Sequence, residues 1–314
     1  MTAPIEAWTA EQVRQARSAV FSDDPDLPFA LPWHSDYAAE LCGGQFYSEN
    51  VDNFAPSGLK TVAGLDISFR IAEGNEGIAV LSLLSFPDLR LLRHITRQVD
   101  LSSTPYVHSY LSFRESDIYV SLLQDLRKTH PHEPAPQLLF VDGNGRWHPR
   151  QAGSAVAVGV KTGLPTIGVA KEYHPLFLAE SGASPPLPGT ATTDRSKCAE
   201  ADKMVPTDYL ASQKGMRKAC QALLRRRGDW LALPGPAATP QKPEPLASEP
   251  WGAALLSSPA RGALNPVFVS PGHRLSLQTC VRLVLACCQN GKTPEPIRSA
   301  DLFGREEVRR VWGG

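Results

Sequence analysis

Three carboxylates stand where an acidic side chain needs a reason to be. In Gly64-Leu65-Asp66-Ile67-Ser68-Phe69 a period of two puts Ala63, Leu65, Ile67 and Phe69 on one face and Asp66 on the other. A charged aspartate within a central strand costs stability unless it is paired or binds a metal. Asp142 closes the apolar run Leu138–Val141, at the carboxyl end of a buried strand, where open α/β sheets usually hold ligands. Its neighbours Gly143 and Asn144 also suit an ordinary turn. Glu115, in Leu111-Ser112-Phe113-Arg114-Glu115, opens a helix, where the helix dipole favours a carboxylate for structural reasons alone. Singly, each has a structural explanation. As a set they converge on one sheet edge, and hard oxygen donors without a Cys or His cluster favour Mg²⁺ or Mn²⁺ over zinc. Phosphodiester hydrolysis fits such a site.

Two further groups bear on that chemistry. Lys171 ends Thr166-Ile167-Gly168-Val169-Ala170-Lys171, so its ammonium is expected near the same edge, holding a phosphate or snorkelling to solvent. His273 sits in an expected strand-to-helix turn and could donate a proton, orient water, bind metal, or be a plain loop residue. Thr104-Pro105-Tyr106, in a loop before a helix, offers an aromatic that could stack between bases, although most loop tyrosines simply pack. Lys214, Arg217, Lys218, Arg225, Arg226 and Arg227 form either a phosphate-tracking patch or a solvated helix face.

The elements that must position these residues follow from periodicity. Thr9 and Gln12 have the spacing of a capping box, predicting a helix from there toward Val20. Residues 22–59 show no sustained period and are expected to be a loop or insertion, packing locally through Phe29, Trp33 and Tyr37. Thr61–Arg70, Ile78–Phe86 and Leu89–Val99 then read as three strands whose short connections force antiparallel pairing. Ile118, Leu122 and Leu126 mark a crossover helix, Leu138–Val141 a buried parallel strand, Gly153–Thr162 a second helix and Leu164–Ala170 a second parallel strand. The fold class is therefore α/β, a mixed sheet of three antiparallel and then parallel strands flanked by helices. Residues 174–250 diverge from this order, and Pro and Ala dominate Leu233–Leu246, as in an insertion. Order returns with a strand at Val267–Val269, a turn at Pro271-Gly272-His273 and a helix marked by Leu277, Val281, Val284, Leu285 and Cys288.

Composition sets the limits. The 314 residues, 42% hydrophobic, suffice for one large domain with long insertions. Lys plus Arg equals Asp plus Glu at 32 each, so attraction to nucleic acid must come from local patches. The six cysteines include no C-x-x-C pair, which argues against a zinc ribbon or a thioredoxin-type site. No P-loop and no G-x-G-x-x-G opening a helix supports nucleotide binding. No run of roughly 20 apolar residues suggests a membrane span, and the expected setting is soluble and cytoplasmic, with the nucleus as a second compartment. A monomer without membrane contact is expected.

Taken together, Gly64-Leu65-Asp66-Ile67-Ser68-Phe69, Pro105-Tyr106, Phe113-Arg114-Glu115, Val141-Asp142-Gly143-Asn144-Gly145, His148, Gly168-Val169-Ala170-Lys171 and Gly272-His273-Arg274 resemble, in order and spacing, the motifs of the endonuclease V family. The resemblance covers the helix near Glu11-Gln12, about 61–171 and 251–310. It implies a ribonuclease H-like fold with Mg²⁺, or Mn²⁺ in its place, on Asp66, Asp142 and Glu115, and with Lys171 and His273 completing a catalytic edge. It further implies Tyr106 as a wedge that turns inosine out of the strand, with Pro105, Gly143 and His148 at the substrate. The implied cut is at the second phosphodiester 3′ to inosine, leaving 3′-hydroxyl and 5′-phosphate ends. Gly272–Leu277, Cys287-Cys288 and Pro294–Arg298 look like the eukaryotic branch, which implies inosine in single-stranded RNA; deoxyinosine in DNA and an inactive inosine-binding module are the competing readings. Ala157 stands where many relatives have a histidine, and the region after Glu172 is longer than the family pattern.

Overall fold

The computed structural model describes residues 4–32, 38–42, 46–49, 54–70, 74–176, 209–235, 250–260 and 265–313. Among the described residues ten strands form one sheet: β1 (Ala38–Cys42), β2 (Phe46–Glu49), β3 (Thr61–Phe69), β4 (Glu76–Ser85), β5 (Leu91–Asp100), β6 (Leu138–Asp142), β7 (Thr166–Ala170), β8 (Asp229–Pro234), β9 (Pro250–Leu255) and β10 (Val267–His273). Their order across the sheet is β1-β2-β8-β9-β10-β7-β6-β3-β4-β5. β3, β4 and β5 pair antiparallel, while β6 runs parallel to both β3 and β7. This is the expected ribonuclease H-like mixed sheet. Its helices are α1 (Ile5–Ser18), α2 (Ser112–Thr129), α3 (Ser154–Thr162), α4 (Gln213–Leu223), α5 (Leu277–Cys287) and α6 (Glu295–Trp312).

Strand alternation sorts side chains onto two faces. Ala63, Leu65 and Ile67 of β3 and Leu139 and Val141 of β6 pack with Tyr119, Leu122 and Leu126 of α2 and with Val158 of α3. Val62 of β3 and Leu138 and Phe140 of β6 point the other way, toward α5 and Ile297 of α6. Asp66 and Asp142 share parity with this second set, so they lie on the α6 face. Gly64 and Gly304 permit the close approach of α6. A Cβ at Gly64 would fall 2.1 Å from the Pro296 backbone, and one at Gly304 would fall 2.6 Å from Ser68 Oγ. Two absent side chains thus bring α6 down onto β3.

Five sequence expectations need correction. Helix α1 begins at Ile5, and Thr9 lies inside it, its Oγ1 donating to Ile5 O rather than capping. Residues 22–59 are more than a loop, because β1 and β2 within them extend the sheet beside β8; Phe29 is buried in the core, and Trp33 and Tyr37 lie outside the described residues. Residues 174–250 likewise contribute α4 and β8 to the domain, 177–208 and 236–249 being outside the described residues. Pro271-Gly272-His273 is not a turn but the end of β10, with a register shift between Pro271 and His273. Helix α6 was not expected, although Pro at its start and Ile297, Ala300 and Gly304 at helical spacing are its signals. No helix of the described residues is long and apolar enough to cross a membrane.

Candidate active site

Register places Asp66 beside Asp142. Leu65 of β3 is opposite Val141 of β6, so the next residue of each strand is an aspartate on the same face. The two carboxyl groups share a hydrogen bond, and Asp66 is also offered one at 3.4 Å by Ser68 Oγ. Burial, and then the adjacent Asp142 carboxylate, push the Asp66 carboxyl well above the usual range. Lys171, just past the end of β7, donates to Asp142 Oδ2 at 2.7 Å and to Asp301 Oδ1 at 3.3 Å. Burial acts to lower the pKa of its ammonium, but the carboxylates of Asp142, Asp66 and Asp301 outweigh that and raise it.

Asp301, on α6, is the residue that sequence reasoning missed. Arg305 Nη2 holds it at 2.9 Å one turn later, and the Gly64–Gly304 close approach delivers it to the sheet edge. Its local signal was a carboxylate beside Ala300 on an apolar helical stripe, which does not by itself distinguish a site residue from a surface one.

Glu115 comes from α2, on the opposite face of the sheet. It is buried, and its Oε2 accepts from Ser154 Oγ at 3.1 Å. Burial lifts its pKa to about 8, Ser154 opposing and Asp142 adding to the shift. The expected set of Asp66, Asp142 and Glu115 is therefore not gathered around one point: among the described residues no three His, Cys, Asp or Glu side chains are spaced to hold an ion. Instead Asp142 and Asp301 hold the ammonium of Lys171, and Asp66 lies against Asp142. The donor chemistry still fits a hard cation, because Asp66 and Asp142 set carboxyl oxygens side by side, and a divalent cation would displace the proton that such a pair shares.

His273 does not join this edge. β10 runs antiparallel to β7, pairing His273 with Thr166 at the start of β7, whereas Lys171 follows its far end. Its Nδ1 accepts from Val20 N at 3.2 Å, joining β10 to the end of α1. Burial, followed by Arg274, lowers its pKa.

Two cavities open from the carboxylate edge, sharing Asp142 and Lys171. The smaller, about 270 Å³, is lined by Tyr106, Gly143, His148, Ser154 and Leu176 among others. Tyr106 is 66% exposed, so it is free to meet a ligand, and the Arg114 guanidinium lies 5.9 Å from its ring centre. Gly143 adopts φ +141, a conformation that an L side chain would strain. His148 Nε2 donates to Ser109 O at 2.9 Å while its Nδ1 faces the N–H groups of Arg150 and Ala152. That neutral tautomer fixes the Tyr106 loop, and burial drops the imidazole pKa to about 4. Pro105 lies beside Tyr106 but not among the cavity residues, and Ala157 is buried in α3 away from it. The larger cavity, about 670 Å³, runs from Asp66 and Asp301 along α6 to Trp312.

The basic residues of 214–227 are largely structural. Arg225 donates to the Gln221 and Ala222 carbonyls at the end of α4, Arg226 pairs with Asp229, and Arg227 donates to Ser257 O and Leu285 O. Lys214, Arg217 and Lys218 remain exposed.

Known proteins resemble this chain in sequence and in fold. Residues 47–302 match the Endonuclease V family. The chain is 35% identical to human Endonuclease V over 257 residues, covering 82% of this chain and 74% of that protein. It is 35% identical to the mouse protein over the same share of this chain, but spans only 62% of the mouse protein's length. The crystal structure of the catalytic domain of human Endonuclease V superposes with a TM-score of 0.69 at 30% identity, covering 98% of this chain and 97% of that one. Endonuclease V of Ciona intestinalis, in complex with a 24mer DNA containing an inosine followed by a ribo-adenosine, gives 0.63 at 26% identity, with 98% of each chain covered. With the fold, the paired aspartates and these likenesses together, the chain belongs to the endonuclease V family.

Proposed function

We propose that this protein is a divalent-metal-dependent endonuclease that cuts single-stranded RNA at the second phosphodiester 3′ to inosine, leaving 3′-hydroxyl and 5′-phosphate ends. The observation that carries the reading is the juxtaposed Asp66–Asp142 pair, whose Asp142 lines the cavity that also holds the exposed Tyr106. Asp66 and Asp142 would hold the cation, with Mg²⁺ as the natural ion and Mn²⁺ as a substitute. Bound there, such an ion supplies positive charge to the phosphate and acidifies water.

The protein's own groups do the rest. Lys171, already drawn between Asp142 and Asp301, can turn its ammonium to a phosphate oxygen when a cation takes over those carboxylates. Glu115, which keeps its proton up to about pH 8 in the ion-free protein, adds a carboxylate behind Asp142 that can exchange a proton as charge moves at the edge. Tyr106 is placed to fill the gap left by an extruded base, and Gly143 lets the chain pass close to that base. His273 receives no catalytic role, its position being at the other end of β7.

The ribo-adenosine after the inosine in the Ciona relative's ligand sets a 2′-hydroxyl beside the proposed cut, which supports RNA. The rest of that ligand is DNA, which keeps deoxyinosine as the second reading. Matched single-stranded RNA and DNA, each with one inosine, decide between them. The proposal expects faster cutting of the RNA, with product ends mapped one nucleotide beyond inosine. Faster cutting of DNA gives the second reading, and equal cutting of strands with and without inosine removes both.

A further inference from the structure

Beyond the carboxylate edge, the larger cavity is lined by side chains that the proposed reaction leaves unused. Its inner end is acidic, at Asp66, Asp142 and Asp301; its outer wall is basic and aromatic, with Arg70, Arg305, Arg309 and Trp312. Asp301, Arg305 and Trp312 lie four and then seven residues apart on α6, and so share one face of the helix. The Trp312 side chain packs with the cluster of Ile78, Val80 and Ala300, so its ring is held rather than free to swing. Arg305 is anchored by Asp301 at 2.9 Å, yet its side chain is 60% exposed. Arg309 is exposed beside it. An acidic end for a cation, arginines for phosphates and a fixed indole for a base together match a nucleic-acid strand better than a small ligand.

We infer that this groove is the track for the strand on the 3′ side of the cut, with Trp312 as a stacking platform for a base and Arg305 and Arg309 as phosphate contacts. The direction rests on the proposed function. Both cavities meet at Asp142 and Lys171, and if inosine occupies the one lined by Tyr106, the strand beyond a cut 3′ to inosine must leave through the other. From Asp301 to Trp312 the helix rises about 16 Å at 1.5 Å per residue. That length spans about five stacked nucleotides at roughly 3.4 Å each. Affinity should therefore grow with 3′ tail length and saturate near that number, whereas extension on the 5′ side should have no such dependence on Trp312.

Fluorescence anisotropy of labelled strands, read in Ca²⁺ to hold cleavage back, tests this. One series extends the 3′ tail from about two to about eight nucleotides past the inosine, a second extends the 5′ side, and each is made with inosine and with adenosine. The expected Kd falls about tenfold along the 3′ series for wild type, a typical effect of stacking one base. Trp312→Ala should flatten that series, and Trp312→Phe should restore most of it. Leu302→Ala, on the exposed side of α6, should retain it and so controls for helix integrity. A Trp312→Ala protein with the wild-type dependence on tail length, or a wild type with none, overturns the groove assignment. Equal affinity for inosine and adenosine strands would instead count against the inosine reading, while the tail dependence would still be read on both.

Discussion

Two regions of this sheet bury carboxylates, and they treat them in opposite ways. In the wing formed by β1, β2, β8 and β9, Glu49 accepts from Arg282 Nε at 3.1 Å and from Gln278 Nε2 at 3.2 Å, both from α5. Nearby, Asp229 accepts from Ser48 Oγ at 2.8 Å and from the backbone N–H groups of Arg225 and Arg226. Every one of these four oxygens has a donor. At the β3–β6–β7 edge, by contrast, Asp66 and Asp142 face each other, and the ion pairs of Lys171 and Arg305 go to Asp142 and Asp301. A buried carboxylate that is fully answered serves the fold, whereas a buried carboxyl set against a second one marks where a cation belongs.

The largest expected effect separates the two regions outright. Asp66→Ala or Asp142→Ala should lower kcat by more than about a hundredfold, the loss of several kcal/mol of transition-state stabilisation. Asp66→Ala should leave the melting temperature level or higher, since it removes a carboxyl whose ionisation burial disfavours. Single-turnover cleavage and calorimetry on the same samples check both halves, and a collapse in stability would mean that the pair is structural.

Next in size is the wing. Arg282→Met leaves Glu49 buried and short of a charged partner, and should destabilise the fold by about 3–5 kcal/mol. The folded fraction should cut at the wild-type rate. Adding Glu49→Leu should recover most of the loss, because an apolar pair of similar size often replaces a buried ion pair without penalty. Urea denaturation of the single and double variants measures this. A double variant no better than the single would show that the wing needs its ion pair for more than charge balance.

A smaller effect lies between the regions, at His148. Its folded pKa of about 4 is below the unfolded value near 6.5, so its contribution is complete above about pH 6.5 and is lost as pH falls toward 4. The amount is about 3 kcal/mol by linkage. The His148 ring resonance should stay neutral in NMR titration down to about pH 4, and titration near pH 6.5 would remove the tautomer argument for the Tyr106 loop.

The same contrast explains what could be read from the sequence. β3, β4, β5, β6 and β7 carry strong local signals, alternation or continuous apolar runs, and the two aspartates interrupt or end those runs visibly. The wing does not. β1 and β2 are five and four residues long, and Ser48 finds its partner Asp229 181 positions away, so no local period announces the pairing. His273 was misplaced because a motif gives sequence position but not strand direction, and antiparallel β10 carries it to the wrong end. Asp301 was missed because its role comes from how α6 docks, through the two glycines at 64 and 304, and not from its neighbours in the chain. Glu115 reads from the sequence as a helix-start carboxylate, but its helix lies on the face opposite the aspartates.

The most direct measurement of the central claim is calorimetric titration of Mn²⁺ into wild type, Asp66→Asn, Asp142→Asn and Arg282→Met, paired with cleavage of an inosine-containing strand at each metal concentration. Wild type and Arg282→Met should bind the ion and cut in proportion to its occupancy, and both asparagine variants should lose binding and cutting together. Undiminished Mn²⁺ binding in the asparagine variants, or cutting that persists without divalent metal, would contradict that claim.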